Sequence, residues 1–300
     1  MSTKRRVLLP TITGIVPSSA IGTVGTLDIP IGSGFRLHDL QIVYIDGGGS
    51  PTDVTAMFSD IGIYRNGTPQ RTFASASDLD HMNSLNGSQY ARQQVNTGAN
   101  MRQTLPVFMA EPWRKDKVDT DVLAWNVCAE NGWKTLQVKL KLATAMPSTS
   151  SLVCYAWIED VPTALRGVAQ SIKKVYTQQI PASGLSIDVT TLDQKDALQV
   201  ISLKHPTTGV ITKVSLKRNS DLIMDQVVRE DNYAALIGKG MVPANSTTAS
   251  AFGYDIVLDA DDPNNSALYA QGQSLWLQVA FSVAAAGNVI AVIERIGPLD

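Results

Sequence analysis

Ile61-Gly62-Ile63-Tyr64-Arg65-Asn66 and Val214-Ser215-Leu216-Lys217-Arg218-Asn219 lie 153 residues apart, and reading them together decides the fold. Each is a short apolar alternation closed by an Arg-Asn turn, the signature of a half-buried strand entering a hairpin. The same offset pairs Asp78 with Asp231 and Gly87 with Gly240. Each half thus carries a strand, a turn, a second extended piece, a helix start and a helix-stopping glycine in one register, which predicts a duplicated chain. Upstream, Leu40-Gln41-Ile42-Val43 matches Leu198-Gln199-Val200-Ile201. Downstream, each half closes with two strands, the second ending Trp157-Ile158-Glu159 or Val292-Ile293-Glu294.

Period-two alternation fills the space around these anchors. Leu136, Val138, Leu140 and Leu142 alternate with Gln137, Lys139 and Lys141, the clearest half-buried strand of the chain. Leu27-Asp28-Ile29, Val153-Cys154-Tyr155, Leu185 to Val189, Ile256 to Leu258, Leu275 to Val279 and Val289 to Ile293 repeat the style. Many short strands with Gly, Pro and Asn turns predict an all-β fold of sandwiches or barrels. Helices are few. Ser77 or Asp78 is expected to cap one carrying Leu79, Met82 and Leu85. Asp231 is expected to cap another carrying Tyr233, Leu236 and Ile237. A third is expected over residues 164–176, with Val168, Ile172 and Val175 on one face. The halves divide near Asp160-Val161-Pro162. This gives an N-terminal domain with its arm over 1–160, a linker over 161–174 and a C-terminal domain over 175–300.

A length of 300 residues exceeds what one core usually serves, in keeping with two domains. A net charge of -2 argues against a general nucleic-acid binder. The two cysteines, Cys128 and Cys154, lie in apolar or alternating stretches and read as free buried thiols. The basic start Lys4-Arg5-Arg6 is followed by only Val7 to Leu9 before Pro10, too short for a secretory core. No apolar run approaches the roughly 20 residues that span a bilayer. Synthesis and folding in a cytosol are the expectation.

Chemistry-bearing motifs are sparse. His38, His81 and His205 are scattered and read as surface or turn residues. Gly47-Gly48-Gly49-Ser50 lacks the Lys-Ser/Thr of a phosphate loop. The densest acidic cluster, Asp259-Ala260-Asp261-Asp262-Pro263-Asn264-Asn265, reads as a solvated turn. Its alternative is a calcium site through Asp259, Asp261 and Asp262. It lacks the glycine and closing glutamate of an EF-hand. Two basic groups, Lys4, Arg5 and Arg6 at the N-terminus and Arg166, Lys173 and Lys174 in the linker, are solvated residues on one reading. On the other they are contacts to an anionic partner, lipid head groups or packaged nucleic acid.

Several stretches resemble one family. Leu27-Asp28-Ile29-Pro30-Ile31-Gly32, His38-Asp39-Leu40, Ile61 to Gly67 and Asp78-Leu79 with Asn83 resemble the N-terminal jelly roll of corticovirus-type major capsid proteins. These coat tailless, membrane-containing icosahedral phages. Glu111-Pro112-Trp113-Arg114-Lys115 resembles the family's acidic-proline segment, and Tyr254 to Asp259 with Leu268 its penultimate-strand region. Asn66-Gly67 stands where the family has Asp-Gly. The resemblance implies two tandem eight-stranded jelly-roll barrels with short helices in loops. It implies a homotrimer of pseudo-hexagonal outline that meets neighbouring capsid trimers and penton or minor capsid proteins. It further implies an inner viral membrane facing Lys4, Arg5, Arg6, Arg166, Lys173 and Lys174. No enzyme activity, no cofactor beyond a structural calcium and no specific nucleic-acid binding are expected. The virion is the expected location, after synthesis in the bacterial host cytoplasm. The competing reading is a tandem β-sandwich that binds carbohydrate or a receptor, as a phage spike does. It needs exposed tryptophans, whereas Trp113, Trp125, Trp133, Trp157 and Trp276 sit in or beside apolar strands. The polar loops 88–101 and 242–253 are expected to carry contacts between subunits.

Overall fold

The computed structural model describes residues 3–47, 52–95, 100–114, 120–192, 196–258 and 274–299. The chain divides into two compact units, Met1–Lys173 with Pro298–Asp300, and Lys174–Gly297.

In the first unit one sheet runs β1 (Arg5–Leu8), β10 (Ser151–Glu159), β3 (Phe35–Asp46), β7 (Met101–Phe108) and β6 (Gln93–Val95), with β8 (Trp125–Val127) also on β3. The second runs β5 (Thr68–Phe73), β4 (Phe58–Arg65), β9 (Leu136–Leu142) and β2 (Val24–Ile29). The alternation of β9 is what fixes its register. Leu136, Val138, Leu140 and Leu142 are all buried, while Lys141 is exposed. A slip of one residue would turn that whole set outward. Val138 accordingly pairs with Leu27 on one side and Ile63 on the other, both buried.

In the second unit β14 (Asp221–Val228), β13 (Ile211–Arg218), β16 (Leu275–Pro298) and β11 (Ser171–Val189) lie in that order. β12 (Ala197–Lys204) pairs with both β15 (Phe252–Val257) and β16. β16 serves two partners, taking β13 along Leu275 to Phe281 and β12 along Ile290 to Ile296. The sequence reads these pieces as two strands; the backbone runs through, with Gly287 at φ +97° between them. Leu198, Ile201, Val214, Leu216, Leu277, Val279 and Ile293 are among the buried residues of this core. The described sheets are open paths with edge strands such as β1, β6, β2 and β14, so the sheets of the expected jelly rolls are not closed on themselves.

The duplication appears in the element bounds themselves. β4 and β13, α2 (Ala76–Leu85) and α3 (Arg229–Gly238) are each related by a shift of 153, and β5 and β14 start with the same shift. A single turn, α1 (Val54–Met57), precedes β4. Arg65 and Arg218 each end their strand, opposite Leu136 and Leu275. The asparagines that follow hold the left-handed region at φ 50° and 53°, which asparagine tolerates better than most residues. Asn66 Oδ1 accepts from the Lys134 and Thr135 amides at 2.7 and 3.0 Å; Asn219 Oδ1 accepts from the Ser274 amide at 2.8 Å. Each asparagine therefore fastens its hairpin to the strand that will run beside it.

The helices start elsewhere than predicted. α2 is capped by Ser75, whose hydroxyl accepts from the Asp78 amide and reaches the Asp78 carboxylate at 2.7 Å. Asp78 is thus the third helical residue, at the spacing of a capping box. In α3 the corresponding residue is Val228, which offers no side-chain cap, and Asp231 sits inside the first turn. The helix expected over 164–176 is absent. A 3-10 turn, Thr163–Leu165, is followed by the start of β11. Val168 is 49% exposed, so the apolar stripe did not exist. The β-branched Ile172, Val175 and Thr177, with Tyr176, favour an extended chain. No helix among the described residues is long and apolar enough to cross a membrane.

Candidate functional site

The boundary between units falls within β11, between Lys173 and Lys174, and each lysine is anchored in its own unit. Lys173, with 1% of its side chain exposed, places Nζ 2.8 Å from Glu111 Oε1. Arg114 takes the other carboxylate oxygen at 2.6 Å. Lys173 also lies over the Trp113 ring at 4.7 Å, and Trp113 meets Tyr90 and Phe108 edge-on. Burial alone would raise the Glu111 carboxyl; Lys173 and Arg114 outweigh it and hold the group down at about 2. In the second unit Asp196 faces Lys174 at 3.6 Å and Arg295 at 3.1 Å, with Arg295 over the Tyr176 ring at 4.7 Å. The recipe is the same twice: a buried carboxylate, a lysine, an arginine and an aromatic ring. Lys173 and Lys174 are both buried, which removes them from the set expected to face lipid. A buried ammonium is retained only when paired and hydrogen-bonded.

The other basic residues of that set are engaged as well. Lys4 meets Asp121 at 2.7 Å and Arg5 meets Asp160 at 3.0 Å. Arg6 donates to Gln41 at 2.9 Å and covers the Tyr155 ring at 3.9 Å. Arg166 pairs with Glu130 at 2.9 Å and donates to the Ser33 carbonyl. These contacts lay the N-terminal strand along β10 in the register Arg5 opposite Ile158. Exposed pairs of this kind each contribute little on their own. Their effect here is to give Lys4, Arg5 and Arg166 carboxylate partners, and Arg6 an amide and a ring, within the protein.

His38 is not the surface residue expected. Only 4% of it is exposed. The cause is a β-bulge: Asp39 pairs with Trp157 and Leu37 with Ile158, which leaves His38 as the extra residue. Strict alternation would put His38 and Asp39 on opposite faces. The bulge re-aims one of them, and both line one cavity of about 150 Å³ with Lys4, Asp121 and Trp157. His38 Nε2 lies 3.1 Å from Glu159 Oε1, and Nδ1 lies 3.2 Å from Asp121 Oδ1. Arg36 backs both acids, meeting Glu159 at 3.2 Å and donating to the Asp121 carbonyl. Burial, with Lys4 and Arg36, lowers the His38 pKa against the pull of the two carboxylates. Burial pushes the Asp39 carboxyl up to about 7. His205, also read as a surface residue, is 1% exposed. Its Nδ1 accepts from the Ile211 amide at 3.0 Å and its Nε2 donates to the Ser246 carbonyl at 2.6 Å, a neutral ring used as a brace.

Asp259, Asp261 and Asp262 lie outside the described residues. Cys128 and Cys154 are free and buried. Trp125 and Trp133 are buried against each other with centroids 5.5 Å apart. Of loop 88–101, a 3-10 turn at Ser88–Tyr90 and the edge strand β6 are described.

No family model and no curated protein matches the sequence. Solved structures do match, and they share a fold of two jelly rolls in one chain, the architecture of viral major capsid proteins. The major capsid protein P2 of bacteriophage PM2 is similar over 99% of this chain and 98% of its own, with a TM-score of 0.75 at 13% identity. VP54 of PBCV-1 matches with a TM-score of 0.66 at 10% identity, covering 100% of this chain and 94% of its own. The major capsid protein of STIV follows with 0.64 at 12% identity, over 98% and 96%.

Proposed function

We propose that this chain is the structural coat protein of an icosahedral virus, assembling as a homotrimer whose six similar jelly rolls fit a hexagonal lattice. One observation carries the reading: likeness to a major capsid protein over 99% of this chain and 98% of that one. The duplication supplies the reason. Two units with the same strand, turn and helix spacing give a three-chain assembly near-sixfold symmetry. The carbohydrate-binding alternative is not favoured, since Trp125 and Trp133 are packed inside the first unit. No catalytic role is proposed.

An internal lipid membrane, penton or minor capsid partners and synthesis in a bacterial cytoplasm belong to the same proposal, and rest on the resemblance to corticovirus coats. Electrostatic lipid contact through the six basic residues has to compete with the partner each already holds within the protein. The test is direct. Light scattering on the purified chain should give the mass of three copies, and the polypeptide should dominate a purified particle. A stable monomer with affinity for sugars would overturn the proposal.

A further inference from the structure

The His38 cavity holds the strongest unassigned chemistry. His38, Asp121 and Glu159 bring one ligand atom each within 4.8 Å of one another. Their roles differ. Glu159 accepts from Nε2–H at 3.1 Å, which fixes the tautomer and leaves the Nδ1 lone pair toward Asp121. Nδ1 is buried and makes no hydrogen bond, although Asp121 Oδ1 is only 3.2 Å away. One Asp39 oxygen is likewise buried without a hydrogen bond, and Asp39 lines the same cavity. A carboxylate holding the far nitrogen of a histidine while the near one faces a second carboxylate is the outer and inner shell of a metal site.

A cation already occupies that place: the Lys4 ammonium, 2.7 Å from Asp121 Oδ1. We propose that the cavity is a divalent-metal site in which His38 Nδ1 and Asp121 are ligands and Glu159 the positioning residue, and that the metal competes with Lys4. Mixed imidazole and carboxylate donors select borderline ions of the zinc class. A cavity of about 150 Å³ leaves room for water to complete the coordination. Lys4 is displaceable: its side chain is 45% exposed and it lies beside an edge strand. Metal entry therefore frees Lys4, just ahead of β1, from its carboxylate partner.

Zinc sulfate is titrated into the full-length chain by calorimetry. Lys4→Met should bind about tenfold more tightly than the unaltered chain, because the competitor is gone while its exposed position leaves the fold intact. Asp121→Asn and His38→Gln should each weaken binding at least tenfold, and Glu159→Gln by about the same factor, in line with the usual loss for ligand-orienting partners. Circular dichroism confirms that each variant is folded. Equal affinity in the unaltered chain and Lys4→Met would overturn the competition. Binding unaffected by both Asp121→Asn and His38→Gln, or no heat from either the unaltered chain or Lys4→Met, would overturn the site.

Discussion

Replacing Glu111 by Gln should cost about 3–5 kcal/mol, the usual result of breaking a buried ion pair from one side. The geometry explains why this side is the sensitive one. Glu111 is 2% exposed and gives one oxygen to Lys173 at 2.8 Å and the other to Arg114 at 2.6 Å. The glutamine turns a donor toward one of two cations. The Lys173 side chain, 1% exposed, cannot be rehydrated in place. Lys173→Met should cost less, about 2 kcal/mol, since Arg114 still neutralises Glu111 and the methionine fills the stem's space. The linkage provides a second measure. A carboxyl held at about 2 contributes stability that is fully present above its ordinary pKa of 4.5 and is lost as the pH falls through 2. That shift is worth roughly 3 kcal/mol, so the unaltered chain should lose about that much between pH 4.5 and 2, and Glu111→Gln should not. Urea unfolding of the full chain, followed by tryptophan fluorescence, reads the effect. Trp113, Trp125, Trp133 and Trp157 fall in the first unit and only Trp276 in the second. A loss below 1 kcal/mol for Glu111→Gln, or a larger loss for Lys173→Met, would refute the argument that an uncompensated buried charge sets the cost.

Ser75→Ala should lower the stability of the first unit by about 1 kcal/mol through loss of the α2 cap, measured by the same unfolding curves. In hydrogen exchange, the first-turn amides of α3, capped by Val228 with no side-chain bond, should exchange faster than those of α2. Gly253→Ala should destabilise the second unit by about 2 kcal/mol, because the new methyl would stand 2.0 Å from His205 Nε2 and push the ring off the Ser246 carbonyl and the Ile211 amide; Trp276 fluorescence on heating reports it. Burial pushes the Cys154 thiol up to about 12 and raises Cys128 as well. A thiol reagent at pH 8 should therefore find neither cysteine in the native chain and both in urea.

The fold was legible because strand faces are local facts. A side chain's face in β9 follows from its parity, and the offset of 153 between the Arg-Asn turns is visible without any structure. Two local features depart from the sequence expectation for reasons present in the sequence itself. Ser75 with Asp78 fits the capping-box spacing, ahead of Ser77 and Asp78 as caps. The run Ser-Ile-Lys-Lys-Val-Tyr-Thr from Ser171 sets Ile, Val, Tyr and Thr, which favour strands, against two lysines, so its propensity opposes the three apolar residues at helical spacing.

The site was not legible, for a different reason. Whether Lys173 faces solvent or a buried carboxylate depends on Glu111, which parity and propensity around Lys173 say nothing about; the alternation of β11 even breaks there, with Ile172, Lys173, Lys174 and Val175 all buried. A pair of lysines flanked by the apolar Ile172 and Val175 was the available signal, since a lysine is buried only when it is paired. His38 was hidden by the bulge opposite Trp157 and Ile158, a one-residue irregularity created by pairing and absent from the hydrophobic pattern. Burial of charge is thus a property of two distant segments at once. That is why the networks around Glu111, Asp196 and His38 emerge only when the strands are paired, and why removing one member of each, and not its charge in isolation, is the informative perturbation.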